Sequence, residues 1–376
     1  MDIVYHHHGE FHMPSQVLEK HAPSLGFADF THPAVQLVFV KHLDYDGFDS
    51  MHGHGFAFFK SRNGFWHIPF KTHKYVKSQH PDIIIVEGLL FPFQLIWLKW
   101  MLGKNIRIIA QHHGEKPFSG IKGLLQKMAD RYINAYLFTS AKNASAWINN
   151  KIISNPGKCK EVLEASTHFR RIKKSVARSG LGISGAFNFL WVGRLNKNKD
   201  PLTVLTAFRK YCLYHPGAKL YMIYREDVML EEIKTKISQH IILQEAVRLV
   251  GKQEHEELIA WYSAIDFYIS GSREEGSGYA LLEAMACGCI PVITSIPSFI
   301  KITENGKYGF LYPPGDTESL TQVLENLSAV DIDTERTRIE DYFQEKLSFK
   351  SIAENLNQVF AQLKSDRTLP QISSIG

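Results

Sequence analysis

Short apolar runs alternate with amphipathic stretches along most of this sequence, and the alternation excludes most folds open to a chain of 376 residues. In the first half the runs are Asp2–Tyr5, Val35–Val40, Ile83–Val86, Arg107–Ala110, Ala135–Phe138 and Glu161–Leu163, with helical patterns such as Gly123–Ile133 and Ala141–Asn149 between them. Strands separated by helices pair in parallel, and a parallel sheet needs helices on both faces. Farther on, strands are expected at Phe187–Val192, Lys219–Ile223, Val247–Val250, Phe267–Ile269 and Ile290–Ile293. Helices fit Pro201–Tyr211, Glu254–Tyr262, Tyr279–Ala286, Glu318–Leu327 and Ser348–Leu363, the last after a polar segment around Asp331–Arg338.

Arg170–Gly185, RRIKKSVARSGLGISG, interrupts the rhythm. It is basic, rich in Gly and Ser, and lacks an extended apolar face, so it reads as a linker. Its cations Arg170, Arg171, Lys173, Lys174 and Arg178 are either solvated or held against an anionic surface. The expected plan is α/β, with two Rossmann-like doubly wound domains facing a central cleft. Residues 1–170 form the N-terminal domain, 171–186 the linker and 187–345 the C-terminal domain. Residues 346–376 form a helix that packs back toward the first domain.

Composition narrows the class further. At 44% hydrophobic and 22% charged residues, disorder, collagen and coiled coils are excluded. Four cysteines in no zinc-like spacing, and a start, MDIVYHHHGEFH, without a signal-peptide pattern, lead to the expectation of a cytoplasmic protein. The most apolar stretch, Ile83–Leu102, is broken by Glu87, Pro92 and Lys99 and reads as strand, turn and helix. Its end, Trp97-Leu98-Lys99-Trp100, suits either core packing or the inner face of a membrane. Up to Gly180 there are 23 Lys and Arg against 13 Asp and Glu, and beyond it 20 against 25. The basic half is therefore the one suited to peripheral contact with anionic lipid or an acidic glycan.

Two segments carry chemistry. In Ser272–Thr294, Glu275 precedes the small turn Gly276-Ser277-Gly278, and a helix starts near Tyr279 with Glu283 inside it. Backbone amides at a helix start favour an anion, and glycines let a phosphate approach closely. Two carboxylates around such a site suit sugar and ribose hydroxyls. In Trp191–Pro201, a strand ends at Gly193, and Arg194 and Lys199 follow in its loop. Fixed cations there suit a diphosphate whose charge grows as a bond breaks, although loop cations are commonly just solvated.

Together these segments resemble the C-terminal domain of family 4 glycosyltransferases, the group 1 retaining enzymes of the GT-B fold. The shared pattern is Glu275, seven residues, then Glu283-Ala284-Met285-Ala286-Cys287-Gly288-Cys289-Ile290-Pro291-Val292. Gly193-Arg194-Leu195 with Lys199 stands upstream, and Asn305-Gly306, Gly309-Phe310-Leu311 and Pro314-Gly315-Asp316 stand downstream. The resemblance implies that Arg194 and Lys199 bind the donor diphosphate, Glu283 the ribose and Glu275 the transferred sugar. Gly278 and Tyr279 would offer amides to the phosphate. In the first half Gln111-His112-His113-Gly114 is similar to the family's strand-then-His-Gly signature, so His113 would face the reacting sugar. Gly9 takes the place of the glycine-rich first loop, although His8-Gly9-Glu10 departs from paired glycines, as Ile223-Tyr224-Arg225-Glu226 departs from the usual Gly-x-Gly turn.

The implied activity is hexosyl transfer from a nucleotide-diphosphate sugar to a glycan, lipid-linked or small-molecule acceptor, with retention, in glycan, glycolipid or polysaccharide biosynthesis. No metal, other cofactor or nucleic acid is expected. A catalytically silent nucleotide-sugar-binding protein is the alternative. Asp44-Tyr45-Asp46 has the D-x-D form of a metal-diphosphate site but reads as a solvated turn, and Pro14 argues against His8 and His12 sharing a helix face for a metal.

Overall fold

The computed structural model describes residues 2–10, 25–33, 35–43, 45–51, 53–60, 64–185, 187–225 and 227–365. Asp44, His12, Pro14, Ala186 and Glu226 of the sequence reading lie outside them. The described residues fall into two compact units, one reaching Ala165 and resuming at Phe349, the other Ser166–Ser348.

The first unit contains β1 (Asp2–Glu10), β2 (Gln36–Leu43), β3 (Gly47–Met51), β4 (His54–Lys60), α1 (Phe70–Ser78), β5 (Ile83–Glu87) and α2 (Pro92–Leu102). It continues with β6 (Arg107–Gln111), α3 (Gly120–Asp130), β7 (Ala135–Phe138), α4 (Ser145–Asn149) and β8 (Cys159–Glu161). The sheet order is β3-β4-β2-β1-β5-β6-β7-β8, parallel except where β3 meets β4. The Gly- and His-rich stretch around Asp46, read as a loop, is this antiparallel hairpin. Phe48 packs its ring on Phe59, and Asp46 accepts bonds from the Lys60 amide (2.7 Å) and Lys71 Nζ (2.9 Å). Pro92 begins α2 where its missing N–H costs nothing, so Ile83–Leu102 divides as expected.

The second unit contains α5 (Lys174–Leu181), β9 (Asn188–Gly193), α6 (Pro201–Cys212), β10 (Lys219–Tyr224), α7 (Leu230–Ser238), α8 (Ile241–Ala246), β11 (Val247–Gly251) and α9 (Leu258–Ala264). Then come β12 (Phe267–Ser270), α10 (Tyr279–Ala286), β13 (Ile290–Thr294), α11 (Pro297–Ile302), β14 (Phe310–Tyr312), α12 (Thr317–Asn326) and α13 (Ile332–Tyr342). All its strands run parallel in the order β11-β10-β9-β12-β13-β14. The last helix, α14 (Phe349–Ser365), belongs to the first unit.

Alternation within single strands separates the two faces of the first sheet. Ile83, Ile85 and Ile109 pack with Phe349, Leu356 and Phe360 of α14, whereas Ile84, Val86, Ile108 and Ala110 pack with Leu95, Leu98 and Trp147. The period-2 geometry of strands requires that split.

The basic linker is corrected by the structure. Its centre is α5, and three of its cations, Arg171, Lys174 and Arg178, are bound within the second unit. Arg178 Nη2 meets both oxygens of Asp266 (3.0 and 2.9 Å), and Lys174 Nζ meets the same carboxylate at 2.6 Å. Asp266 is buried at the start of β12 and also accepts from the Asn188 amide at 3.0 Å. Arg171 pairs with Glu340 at 2.8 Å. The polar segment after Asp331 is likewise a helix, capped by Asp331 on the Thr334 amide. It buries Arg336, which donates to the carbonyls of Ser263, Ile265 and Cys287.

Removing one member of a buried ion pair strands the other charge and costs about 3–5 kcal/mol. Asp266→Ala should therefore lower the unfolding free energy of the full chain by about 3 kcal/mol in urea titrations followed by circular dichroism. A loss below about 1 kcal/mol would show that Arg178 and Lys174 do not anchor α5.

Candidate active site

In the second sheet the strand order reverses direction between β9 and β12, and open parallel sheets take ligands beyond the carboxyl ends at such a point. Two loops meet there. The loop after β9 runs from Gly193 through Arg194 to Asp200, and the loop after β12 runs from Gly271 to Gly278. Asn198 joins them, its side-chain nitrogen donating to the Glu274 carbonyl (3.0 Å) and its side-chain oxygen accepting from the Glu274 amide (3.1 Å). The Asn198 carbonyl also accepts from the Arg273 amide at 2.8 Å. Asp200 caps α6 on the Thr203 amide and receives Arg273 Nη2 at 2.6 Å.

Close packing explains two glycines. A Cβ on Gly271 would lie 2.7 Å from the Asp200 carbonyl oxygen. Gly278, which caps α10 at φ +66°, would place a Cβ 3.0 Å from the Phe299 ring. Intrahelical bonding starts with the Leu282 amide on the Gly278 carbonyl.

The sequence-predicted donor residues Gly193, Arg194, Lys199, Glu275, Gly276, Ser277, Gly278 and Tyr279 all lie on these two loops and the start of α10. Lys199 Nζ is hydrogen-bonded to Glu275 Oε1. Arg194 is exposed, Ser277 and Gly278 are buried, and Ser298 Oγ fixes the Glu275 carbonyl at 3.0 Å. Glu283 stands one turn inside α10. Its Oε1 lies 2.7 Å from His255 Nε2, and its Oε2 accepts from the Tyr262 hydroxyl at 3.1 Å. The hydrogen bond to Glu283 raises the His255 pKa against the opposing effect of burial, and the Phe169 ring lies 4.8 Å from the imidazole.

In the first unit, neighbouring strands align His7 with Glu87 and Glu87 with Gln111. Gly9, His112 and His113 therefore sit at one carboxyl edge, near the reversal between β1 and β5. Their environments differ. His112 is buried, its ring 4.9 Å from Phe138 and 6.1 Å from Trp147, with Nε2 held by the Glu115 carbonyl at 3.0 Å. Burial lowers its pKa, and its ring packs between Phe138 and Trp147. His113 is bonded through Nδ1 to Glu164 Oε1, and its amide donates to Glu115 Oε2 at 2.6 Å. Its Nε2 is buried without a hydrogen-bond partner among the described residues. A buried polar atom left in that state calls for a ligand or a water.

Sequence spacing missed Asn198, His255, Tyr262 and Glu164. Each meets its partner from a distant segment, and no local motif marks them. Among the described residues, no group of three or more His, Cys, Asp or Glu side chains is arranged to hold a metal.

Burial opposes charging of His113, but the bond to Glu164 and the fields of Glu164, Glu87 and Glu115 outweigh it and raise its pKa to about 9. That value lies above the ordinary imidazole pKa of about 6.5. The ion pair's contribution to stability is therefore complete below about pH 6.5 and lost as pH rises through about 9. Titration of the His113 ring by NMR should give a midpoint near 9, moved down toward the ordinary range by Glu164→Gln. A wild-type midpoint in the ordinary range would contradict the pairing.

Comparison with known proteins fits this geometry. Residues 176–345 match the family model "Glycosyl transferases group 1". A GDP-mannose:cellobiosyl-diphosphopolyprenol alpha-mannosyltransferase of Xanthomonas oryzae pv. oryzae is 28% identical over 151 residues, 39% of this chain and 40% of that protein. The amylovoran biosynthesis glycosyltransferase AmsK of Erwinia amylovora is 30% identical over 183 residues, 45% of this chain and 44% of the relative. The chain thus spans less than half the length of these curated relatives. Sucrose-phosphate synthase from Thermosynechococcus elongatus superposes with a TM-score of 0.70 at 18% identity, covering 97% of this chain and 99% of that one. Anabaena Alr3699/HepE, solved in complex with UDP and glucose, gives 0.71 at 16% identity, with 96% and 99% covered. At these identities the likeness establishes the fold, which is GT-B.

Proposed function

With residues 176–345 belonging to the group 1 glycosyl transferases, we propose that this chain moves a hexosyl group from a nucleotide-diphosphate sugar to a hydroxyl acceptor with retention of configuration. The observation that supports the reading is the Asn198 bridge to Glu274, which ties the loop carrying Arg194 and Lys199 to the loop carrying Glu275. In this reading Arg194, Lys199 and the first-turn amides of Gly278 and Tyr279 bind the diphosphate. Glu283 takes the ribose hydroxyls in exchange for part of its bonding to His255 and Tyr262, and Glu275 takes a hydroxyl of the transferred sugar. His113 Nε2, protonated and buried without a partner among the described residues, is assigned the sugar hydrogen bond that the family resemblance implies.

The proposed step is front-side substitution. The bond from the anomeric carbon to the diphosphate oxygen breaks, its electron pair leaving with the diphosphate. The acceptor oxygen bonds to the same face of that carbon and passes its proton to the departing phosphate oxygen. Arg194, Lys199 and the helix start stabilise the charge that develops there, so no metal or organic cofactor is assigned a role. The setting that suits this chemistry is polysaccharide or glycolipid assembly in the cytoplasm. The relatives' names support the assembly role, one being a GDP-mannose:cellobiosyl-diphosphopolyprenol alpha-mannosyltransferase and another an amylovoran biosynthesis glycosyltransferase.

A panel of nucleotide sugars crossed with lipid-linked and soluble acceptors tests the reading, with nucleoside diphosphate release and anomeric configuration as readouts. Arg194→Ala should lower kcat by about 10²–10³. Glu283→Ala should weaken nucleoside diphosphate binding by about tenfold, the scale of one hydrogen bond to a charged group. Inversion at the anomeric carbon overturns the mechanism, and wild-type behaviour in both variants overturns the site. Binding without turnover across the panel leaves a catalytically silent nucleotide-sugar-binding protein.

A further inference from the structure

Helix α3 reverses the usual arrangement of a surface helix. It buries Gly123, Gln126, Ala129 and Asp130, whereas Ile121, Leu124 and Met128 are 72%, 58% and 46% exposed. Those three recur at intervals of three and four residues and so form one outward stripe. The stripe runs on into aromatic rings. Phe118, just before α3, lies 5.7 Å from Phe65, which abuts Trp66 (5.0 Å), which in turn meets Phe93 of α2 (5.6 Å). Farther along α2, Trp97 lies 5.7 Å from Phe70 of α1 and 6.5 Å from Trp100. Trp66, Phe70 and Trp100 remain 57%, 49% and 71% exposed. An outward apolar face spanning three helices is a contact surface, because water penalises it and the fold gains nothing from it.

Charge identifies what it contacts. Lys74 and Lys77 of α1, Lys104 after α2, and Lys122 and Lys127 of α3, on the same helices or their ends as the rings and the stripe, are exposed. Lys122 Nζ lies over the Phe65 and Phe118 rings at 4.8 and 5.4 Å. The acids between Gly64 and Asp130 do not offset these cations. Glu87 is buried against Lys41, Glu115 bonds the amides of Leu89 and His113, and Asp130 bonds Tyr136, Ser154 and Lys158. Asp82 stands at the opposite, amino end of β5, and the neighbouring Asp46 is bound by Lys71. Lys99, grouped with Trp97 and Trp100 in the sequence, instead donates to the carbonyls of Lys104 and Ile106 and secures the end of α2.

We propose that this face of the first unit docks on an anionic lipid bilayer. Trp66, Trp100 and the α3 stripe enter at headgroup depth, and the lysines meet lipid phosphates. Indoles and lysine ammonium groups are the side chains that this boundary favours. A second copy is the poorer occupant, since a twofold dimer would set the same lysines against each other. No helix among the described residues is long and apolar enough to cross a membrane, so the contact is peripheral. None of these residues belongs to the donor site, and the inference stands apart from the reaction proposed above.

The test is sedimentation of the full chain with vesicles of phosphatidylcholine, alone or with about one-third phosphatidylglycerol, at low and high salt. Binding should be at least about tenfold stronger on the anionic vesicles at low salt. The double variant Trp66→Ser/Trp100→Ser should reduce it about tenfold, and Lys74→Glu/Lys122→Glu/Lys127→Glu should abolish the preference for anionic lipid. Circular dichroism and nucleoside diphosphate binding, measured on the same samples, separate a loss of fold or of the donor site from a loss of lipid contact. Three outcomes overturn the proposal: no binding to anionic vesicles at low salt, undiminished binding by the variants, or a concentration-dependent dimer that the tryptophan variant dissolves.

Discussion

Parallel pairing governs where this chain can place its chemistry. A parallel strand cannot be followed directly by its neighbour, so each crossover carries a helix, and every loop leaving a strand's carboxyl end emerges at one edge. In the second sheet the two loops beside the order reversal belong to β9 and β12, about 80 residues apart in sequence but adjacent in space. The same constraint brings Gly9 and His113 to one edge of the first sheet. Asn198 then converts adjacency into fixed geometry, because one side-chain amide satisfies both backbone groups of Glu274.

The electrostatics of the second unit follow from that crowding. Two carboxylates stand where an anionic diphosphate is proposed to bind, and each has a partner in the same unit, Glu275 the Lys199 ammonium and Glu283 the His255 ring. Such pairing lowers the repulsion a diphosphate would meet while keeping both oxygens of Glu283 oriented. In the proposed donor site those partners count as much as the carboxylates do.

Much of this was legible in the sequence, for identifiable reasons. Buried parallel strands are continuous apolar runs, so Ile83–Val86 and Ile290–Ile293 announce themselves, and the helix Tyr279–Ala286 was read to the residue. The hairpin β3–β4 was missed because Gly47–Met51 is a short edge strand with little alternation. Helices α5 and α13 were missed because their anchors are cations, Arg178 and Arg336, which periodicity counts as surface. The spacing of Glu275 and Glu283 marked the two carboxylates that flank the start of α10. Their partners could not be found that way, because contacts between distant segments leave no local trace.

Helix α14 carries a consequence for how the chain acquires its structure. Phe349, Leu356 and Phe360 complete the core under Ile83, Ile85 and Ile109, yet the whole second unit is encoded between the two halves of that core. On a ribosome the second unit has its full complement of residues before the first one does. The earlier-made sheet must wait with one apolar face uncovered until the last helix emerges. Chaperone demand during synthesis should therefore centre on that waiting face, and truncation just before Phe349 would leave it permanently open.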